Sequence, residues 1–187
     1  MTPHKFPAGG KERLTDAQRR HFQPAEEIVS RMSPARSEVC VDLGSGPGYI
    51  ALPLSSKVKC AIAMDVQKEM LQSLTTRAGE AIGRIEPVLA EMPWIPVKTS
   101  SVDRVIMVNV VHEIEDKAEL AREIDRVLKK GGHLSIVDFP KAATSFGPPV
   151  EERLSAEEIM ATFPDMRLID RWDFPEFYQL EFKKEVT

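Results

Sequence analysis

Val39-Cys40-Val41-Asp42-Leu43-Gly44-Ser45-Gly46-Pro47-Gly48-Tyr49-Ile50 decides how the rest of the chain is read. A β-branched run that closes on Asp42 predicts a buried strand, and three glycines alternating with Ser45 and Pro47 predict a tight loop. Ile50, Leu52 and Leu54 then open a helical pattern. Glycines at 44, 46 and 48 admit positive φ and let a ligand approach the backbone, while Pro47 presets φ for a helix start. The first helical turn is expected to offer N–H groups and a positive dipole end to an anion.

The spacing narrows what that loop can hold. A dinucleotide fingerprint wants a third glycine where Tyr49 stands, and the Gly-Lys-Ser/Thr ending of a phosphate-cradling loop is absent. What remains suits a ligand carrying a carboxylate and an amine, with Asp42 placed to help hold an ammonium. Cys60-Ala61-Ile62-Ala63-Met64-Asp65 reads as a second buried strand ending in an acid, 21 residues after Gly44, and Met70, Leu71 and Leu74 begin the helix that follows. An acid at that distance, at the end of the second strand of a βαβ unit, is where a ribose diol is gripped. Loop and acid together imply an adenosine-type cofactor.

Asp42-Leu-Gly-Ser-Gly-Pro-Gly48, Asp65, Glu91-Met92-Pro93 and the strand from Asp103 to Asn109 resemble, in order and spacing, the motifs of class I S-adenosylmethionine-dependent methyltransferases. Ser45 stands where many members carry Cys or Thr, which leaves the backbone chemistry unchanged. The resemblance implies an α/β, Rossmann-like doubly wound sheet of seven mostly parallel strands with one antiparallel member and helices on both faces. It implies S-adenosyl-L-methionine as cofactor and S-adenosyl-L-homocysteine as product. Carried over, Asp42, Gly44, Ser45, Gly46 and Gly48 surround the methionine end, Asp65 takes both ribose hydroxyls, Val66 and Met70 lie beside the adenine, and Glu91 and Met92 meet its edge.

The fourth strand should lie beside the first, at the switch point where open α/β sheets bind ligands. Asn109, Val110 and His112 are therefore expected to face the reacting methyl group, with Asn109 and His112 as the catalytic candidates. Methyl transfer from an activated sulfonium needs an in-line approach and, for a hydroxyl or ammonium nucleophile, loss of a proton that His112 could accept. A purely packing or capping His112 is the alternative, and Glu113 reads equally as a helix-start acid. No Asn/Asp-Pro-Pro-aromatic sequence and no Pro-Cys nucleophile occurs here, which disfavours amide, nucleobase-amino and cytosine-carbon acceptors. Two cysteines are too few for arsenite methylation, and quinone-type and other small-molecule acceptors stay open. Two rivals accompany this reading: an NAD(P)-dependent oxidoreductase, disfavoured by Tyr49, and a protein that binds S-adenosylmethionine without transferring its methyl group.

Composition bounds the remainder. A chain of 187 residues that is 42% hydrophobic fits one domain, read as an arm with helices over 1–36 and a core over 37–187. A net charge of −4 argues against a nucleic-acid grip through bulk charge. No 18-residue apolar run or signal peptide is visible, and Cys40 and Cys60 fall in predicted core strands, so a cytoplasmic protein with buried thiols and no metal site is expected. No sequence signal assigns an oligomeric state.

Residues 1 to 13 read as an irregular arm, Thr15-Asp16-Ala17-Gln18 as a capping box opening a helix through Phe22, and Pro24 to Met32 as a second helix. Lys5, Lys11, Arg13, Arg19 and Arg20 against Glu12 and Asp16 leave residues 1 to 21 at about +3, which fits a lid that steers an anionic or acidic substrate, though a solvated helix face plus a mobile end is the favoured reading. A third strand is expected over Ile82 to Leu89. Asp116-Lys117-Ala118-Glu119 caps a helix whose Leu120, Ile124, Val127 and Leu128 line one face, stopped by Gly131-Gly132. His133 to Phe139 is the expected fifth strand, with Asp138 a candidate substrate contact and residues 140 to 153 a loop walling the pocket. Ser155 caps a last helix, and Met166 to Trp172 with Phe177 to Lys183 form an antiparallel pair.

Overall fold

The structure, a computed structural model, describes residues 17–79 and 84–186. Seven strands form one sheet in the order β3-β2-β1-β4-β5-β7-β6, from β1 (Val39–Leu43), β2 (Cys60–Asp65), β3 (Ile85–Leu89), β4 (Val102–Val108), β5 (Leu128–Asp138), β6 (Met166–Asp173) and β7 (Tyr178–Lys184). Pairing is parallel from β3 through β5, and β7 runs antiparallel to both β5 and β6. The expected doubly wound sheet with one reversed strand is the sheet observed. The order reverses at β1, whose neighbours are β2 and β4, and the carboxyl ends of β1 and β4 form the switch point at which open α/β sheets bind ligands.

Strand alternation sorts the core onto two faces. Val41, Leu43, Val105, Met107, Leu134 and Ile136 pack with Leu120 and Ile124 of α5 (Lys117–Val127) and Ile159 of α6 (Ala156–Thr162). Cys40, Ile106, Val108 and Val137 pack with Ile28, Val29 and Met32 of α2 (Ala25–Met32) and Leu54 of α3 (Ala51–Ser55). Ala63 and Ile85 pack with Leu74 of α4 (Lys68–Ala78). Capping follows the side chains: Asp116 accepts from the Glu119 N–H, and Ser155 and Glu158 form a reciprocal capping box.

Two expectations shift, and two fall partly outside the described residues. The glycine pair does not stop α5, because buried Leu128 pairs with Val102 and begins β5 directly, leaving Gly131 (φ 73°) inside the strand beside the irregularity between Val102 and Arg104. Cys40 is buried, yet Cys60 at the start of β2 is only half-buried. The third strand begins at Ile85, and the start expected at Ile82 falls outside the described residues. The arm and the Thr15 capping box lie outside them too, although the helix they should open is present as α1 (Ala17–Phe22).

Arg104 was not singled out by its sequence context, yet it is the core's principal charge. Its side chain is 2% exposed and binds Glu38 at 3.1 Å, Ser135 at 3.0 Å and Glu181 at 2.9 Å, with Ser135 donating to Glu181 at 2.6 Å. Such a network is tolerated only because its charge is paired and hydrogen-bonded.

Candidate functional site

The loop after β1 is held from three sides. Gly44 and Ser45 both donate to the Met64 carbonyl at 2.9 Å, Gly46 donates to Asp65 Oδ2 at 2.8 Å, and Arg77 of α4 donates to the Pro47 carbonyl at 2.7 Å. All three glycines have positive φ, at 69°, 53° and 87°. Two of them are required by the protein's own packing. A Cβ on Gly44 would lie 2.5 Å from Val110 Cγ2, and one on Gly48 would press Leu74 and Leu52 at 3.1 and 3.2 Å. Gly44 thus seats the turn after β4 directly on the loop.

The expected anion site at the following helix is partly used up. α3 spans only five residues; the Ala51 N–H is turned to the Asp42 carboxyl and the Leu52 N–H to the Gly48 carbonyl at 3.1 Å. Asp42 is 2% exposed, and its Oδ2 has no hydrogen-bond partner among the described residues. Burial pushes its carboxyl up from 3.8 to about 7; the Ala51 N–H and the Arg19 charge pull against this, and Asp65 adds to it. Ser45 Oγ is also buried without a partner. Both atoms lie beside the glycine loop, where buried polar groups ordinarily have partners.

Asp65 ends β2 with Oδ2 on Gly46 N–H and Oδ1 on Gln67 N–H, both at 2.8 Å. Burial raises its pKa and those N–H groups oppose the rise. The Val66 N–H is turned to the same carboxylate, so three backbone N–H groups in all converge on Asp65. Val66 is exposed, Glu91 is exposed and Met92 half-buried, so all three stand at the surface of the same edge, while Met70 is buried at the start of α4.

The far side of the crevice comes from the ends of β4 and β5. His112, on a 3-10 turn over Val111–Glu113, places Nδ1 2.8 and 3.1 Å from the two oxygens of fully buried Asp138. Asp138 Oδ1 also accepts the Phe139 N–H at 2.9 Å. Burial works against a charged imidazole here, but the charge and hydrogen bond of Asp138, with Glu113 and Glu152 adding, hold His112 above its ordinary pKa. Asp138, expected as a substrate contact, is thus turned to His112. Aromatic rings continue the wall, His112 edge-on to Phe139 at 6.3 Å, Phe139 to Phe146 at 5.2 Å, and Phe146 stacked on Phe22 of α1 at 5.9 Å. The loop over 140–153 is stapled by Arg153, which donates to the carbonyls of Pro148, Pro140 and Ala142.

Asn109 departs from expectation. It has φ 60°, and its side-chain amide pairs both ways with Gln23, at 3.0 and 2.8 Å, so the group expected at the reaction centre is engaged by the segment between α1 and α2. Tyr49 donates to the Gln23 carbonyl at 2.7 Å, and the Arg19 guanidinium lies 3.9 Å over the Tyr49 ring. Gln23 carries no signal in the sequence, and Arg19 enters its reading only through the positive charge of residues 1 to 21. Gln23 lies 86 residues from Asn109, and no local pattern announces so distant a pair.

Residues 41–136 match the family model described as a methyltransferase domain. The chain is 30% identical over 133 residues to a ubiquinone/menaquinone biosynthesis C-methyltransferase of Acidiphilium cryptum, covering 69% of this chain and 53% of that protein. It is 25% identical over 156 residues to a probable S-adenosylmethionine-dependent methyltransferase of Mycobacterium tuberculosis, covering 80% and 56%. The chain therefore spans about half the length of these curated relatives. A crystal structure of an S-adenosylmethionine-dependent methyltransferase from Aquifex aeolicus superposes with a TM-score of 0.87 at 24% identity, over 96% of this chain and 99% of that one.

Proposed function

Because the chain belongs to the class I S-adenosylmethionine-dependent methyltransferases, we propose that it methylates a small-molecule acceptor whose nucleophilic atom sheds a proton to His112. The observation that carries the cofactor side is the unpartnered buried oxygen of Asp42 beside the glycine loop, which fits the cofactor's ammonium. Asp65 would take the ribose hydroxyls, Ser45 and the loop would line the methionine end, and Val66, Glu91 and Met92 would meet the adenine. When bound, S-adenosylmethionine supplies a methyl group already activated by its sulfonium.

The chain's own task is then positional and protonic. The turn carrying Val110 and His112 packs on Gly44, which supports placing the acceptor's side of the crevice against the methionine end. His112 would accept the proton of a hydroxyl, phenol or amine as its lone pair closes on the methyl carbon. The aromatic wall of Phe139 and Phe146 would cover an apolar acceptor and exclude water. The Acidiphilium relative bears a name that refers to quinone biosynthesis, so phenolic and quinol rings are the first acceptors to try.

Calorimetric titration with S-adenosylhomocysteine, with NADH as the contrast, tests the cofactor side. Micromolar binding of the first and none of the second is expected. A screen of small phenols, quinols, thiols and amines with methyl-labelled cofactor tests transfer, and binding without turnover of any acceptor, small or macromolecular, would leave a cofactor-binding protein instead of an enzyme.

A further inference from the structure

We propose that Asp138 is the residue that makes His112 a base, by fixing the ring proton on Nδ1 and leaving Nε2 to receive the acceptor's proton. The inference rests on the reading of this edge as a methyl-transfer site, and it assigns to Asp138 a positioning role distinct from the substrate contact expected of a strand-end acid. A carboxylate only accepts hydrogen bonds, and both of its oxygens lie within 3.1 Å of Nδ1, so the proton shared between them belongs to the ring nitrogen. Asp138 is itself held still. It is fully buried at the end of β5, its Oδ1 accepts the Phe139 N–H, and its neighbour across the ladder is Tyr178 of β7. The ring it orients lies edge-on to Phe139, which removes a second degree of freedom.

The charged groups around the pair act in one direction on the imidazole. Glu113 on the same turn and Glu152 from the 3-10 turn over Val150–Glu152 both favour the charged ring, and Arg153, packed over Phe139, faces Asp138 with an opposite charge. Tyr178 donates to the Leu154 carbonyl at 2.9 Å and so does not compete for Asp138. In the transfer itself the acceptor's lone pair forms the bond to the methyl carbon, and the carbon–sulfur pair returns to sulfur and cancels its positive charge. The displaced proton passes to His112 Nε2. The resulting imidazolium is stabilised by Asp138 and later loses that proton to solvent.

Because no acceptor is needed to see a tautomer, nitrogen-15 NMR of the histidine rings decides the point, with His112→Gln assigning the signals. Expected in the unsubstituted protein is the Nδ1–H form at alkaline pH, against the Nε2–H form that an unconstrained ring favours, and a titration midpoint above the ordinary 6.5. Asp138→Asn should mix the tautomers and lower that midpoint by about one pH unit or more, with S-adenosylhomocysteine affinity unchanged within about twofold. An Nε2–H ring in the unsubstituted protein overturns the proposal without recourse to any variant, as does an unmoved midpoint in a folded Asp138→Asn protein. With any protonated acceptor that turns over, Asp138→Asn should lower kcat by on the order of 100-fold and shift the acid limb of the pH profile, leaving the acceptor's KM little changed. Failure of the unsubstituted protein to bind S-adenosylhomocysteine would sink the methyltransfer reading, whereas the tautomer stands or falls by the NMR alone.

Discussion

Asp42 should make cofactor binding sensitive to pH near neutrality. Its carboxyl is buried, one oxygen has no hydrogen-bond partner among the described residues, and burial pushes its pKa up to about 7. An ammonium is held by the ionised form only. Since about one-tenth of the carboxyl is ionised at pH 6 and about nine-tenths at pH 8, the dissociation constant for S-adenosylhomocysteine should be roughly tenfold higher at pH 6 than at pH 8. Calorimetry in buffers of different ionisation enthalpy should show proton release on binding at pH 6 and almost none at pH 8. Asp42→Asn should abolish both the slope and the proton release, while His112→Gln should leave them in place. The same group acts on stability with a fixed sign. Its folded pKa is raised above the ordinary 3.8, so the ligand-free fold loses stability as pH climbs from about 4 to about 7, by on the order of 4 kcal/mol at most, and bound ligand restores it. Tight binding with a flat affinity between pH 6 and 8 and no proton release would refute this reasoning outright.

Three further expectations follow from neighbouring contacts. Arg19→Ala removes a cation that holds Asp42 down, so the midpoint of that pH dependence should move above 7, read by the same titrations. Asp65→Ala should weaken S-adenosylhomocysteine binding at least tenfold, since each charge-assisted bond is worth about 1.5 to 3 kcal/mol, and 2′,3′-dideoxyadenosine, lacking the diol, should lose far less; an unchanged affinity for the full ligand would exclude Asp65 from the site. Arg104→Met strands Glu181 in the core and should cost about 3 to 5 kcal/mol, a fall in Tm of roughly 6 to 20 °C by calorimetry, whereas Arg104→Met with Glu181→Leu should recover most of it.

What was legible in the chain is what local pattern decides. Apolar runs closing on Asp42 and Asp65 announced two parallel strands, and the glycine loop between them announced the crevice, because each is settled by neighbours within about twenty residues. The glycine pair at 131–132 misled for a related reason: it looks like a helix stop, but burial of Leu128 against Val102 outweighs it and draws the chain into the sheet several residues earlier. Partner identity is a different matter. Strand periodicity puts Arg104 on the same face as Ile106, which could have flagged an inward charge, yet Glu181 is 77 residues away, and only closure of β7 onto β5 brings it alongside. Asn109 and Asp138 illustrate the same limit at the site itself. Their positions at strand ends were readable, but a strand-end side chain can turn to a ligand or to another side chain, and nothing local chooses between Gln23, His112 and solvent. Asp42 is the instructive contrast: its place at the end of β1 was readable, and among the described residues no side chain pairs with its outer oxygen, so neither the local pattern nor the rest of the fold supplies it a partner.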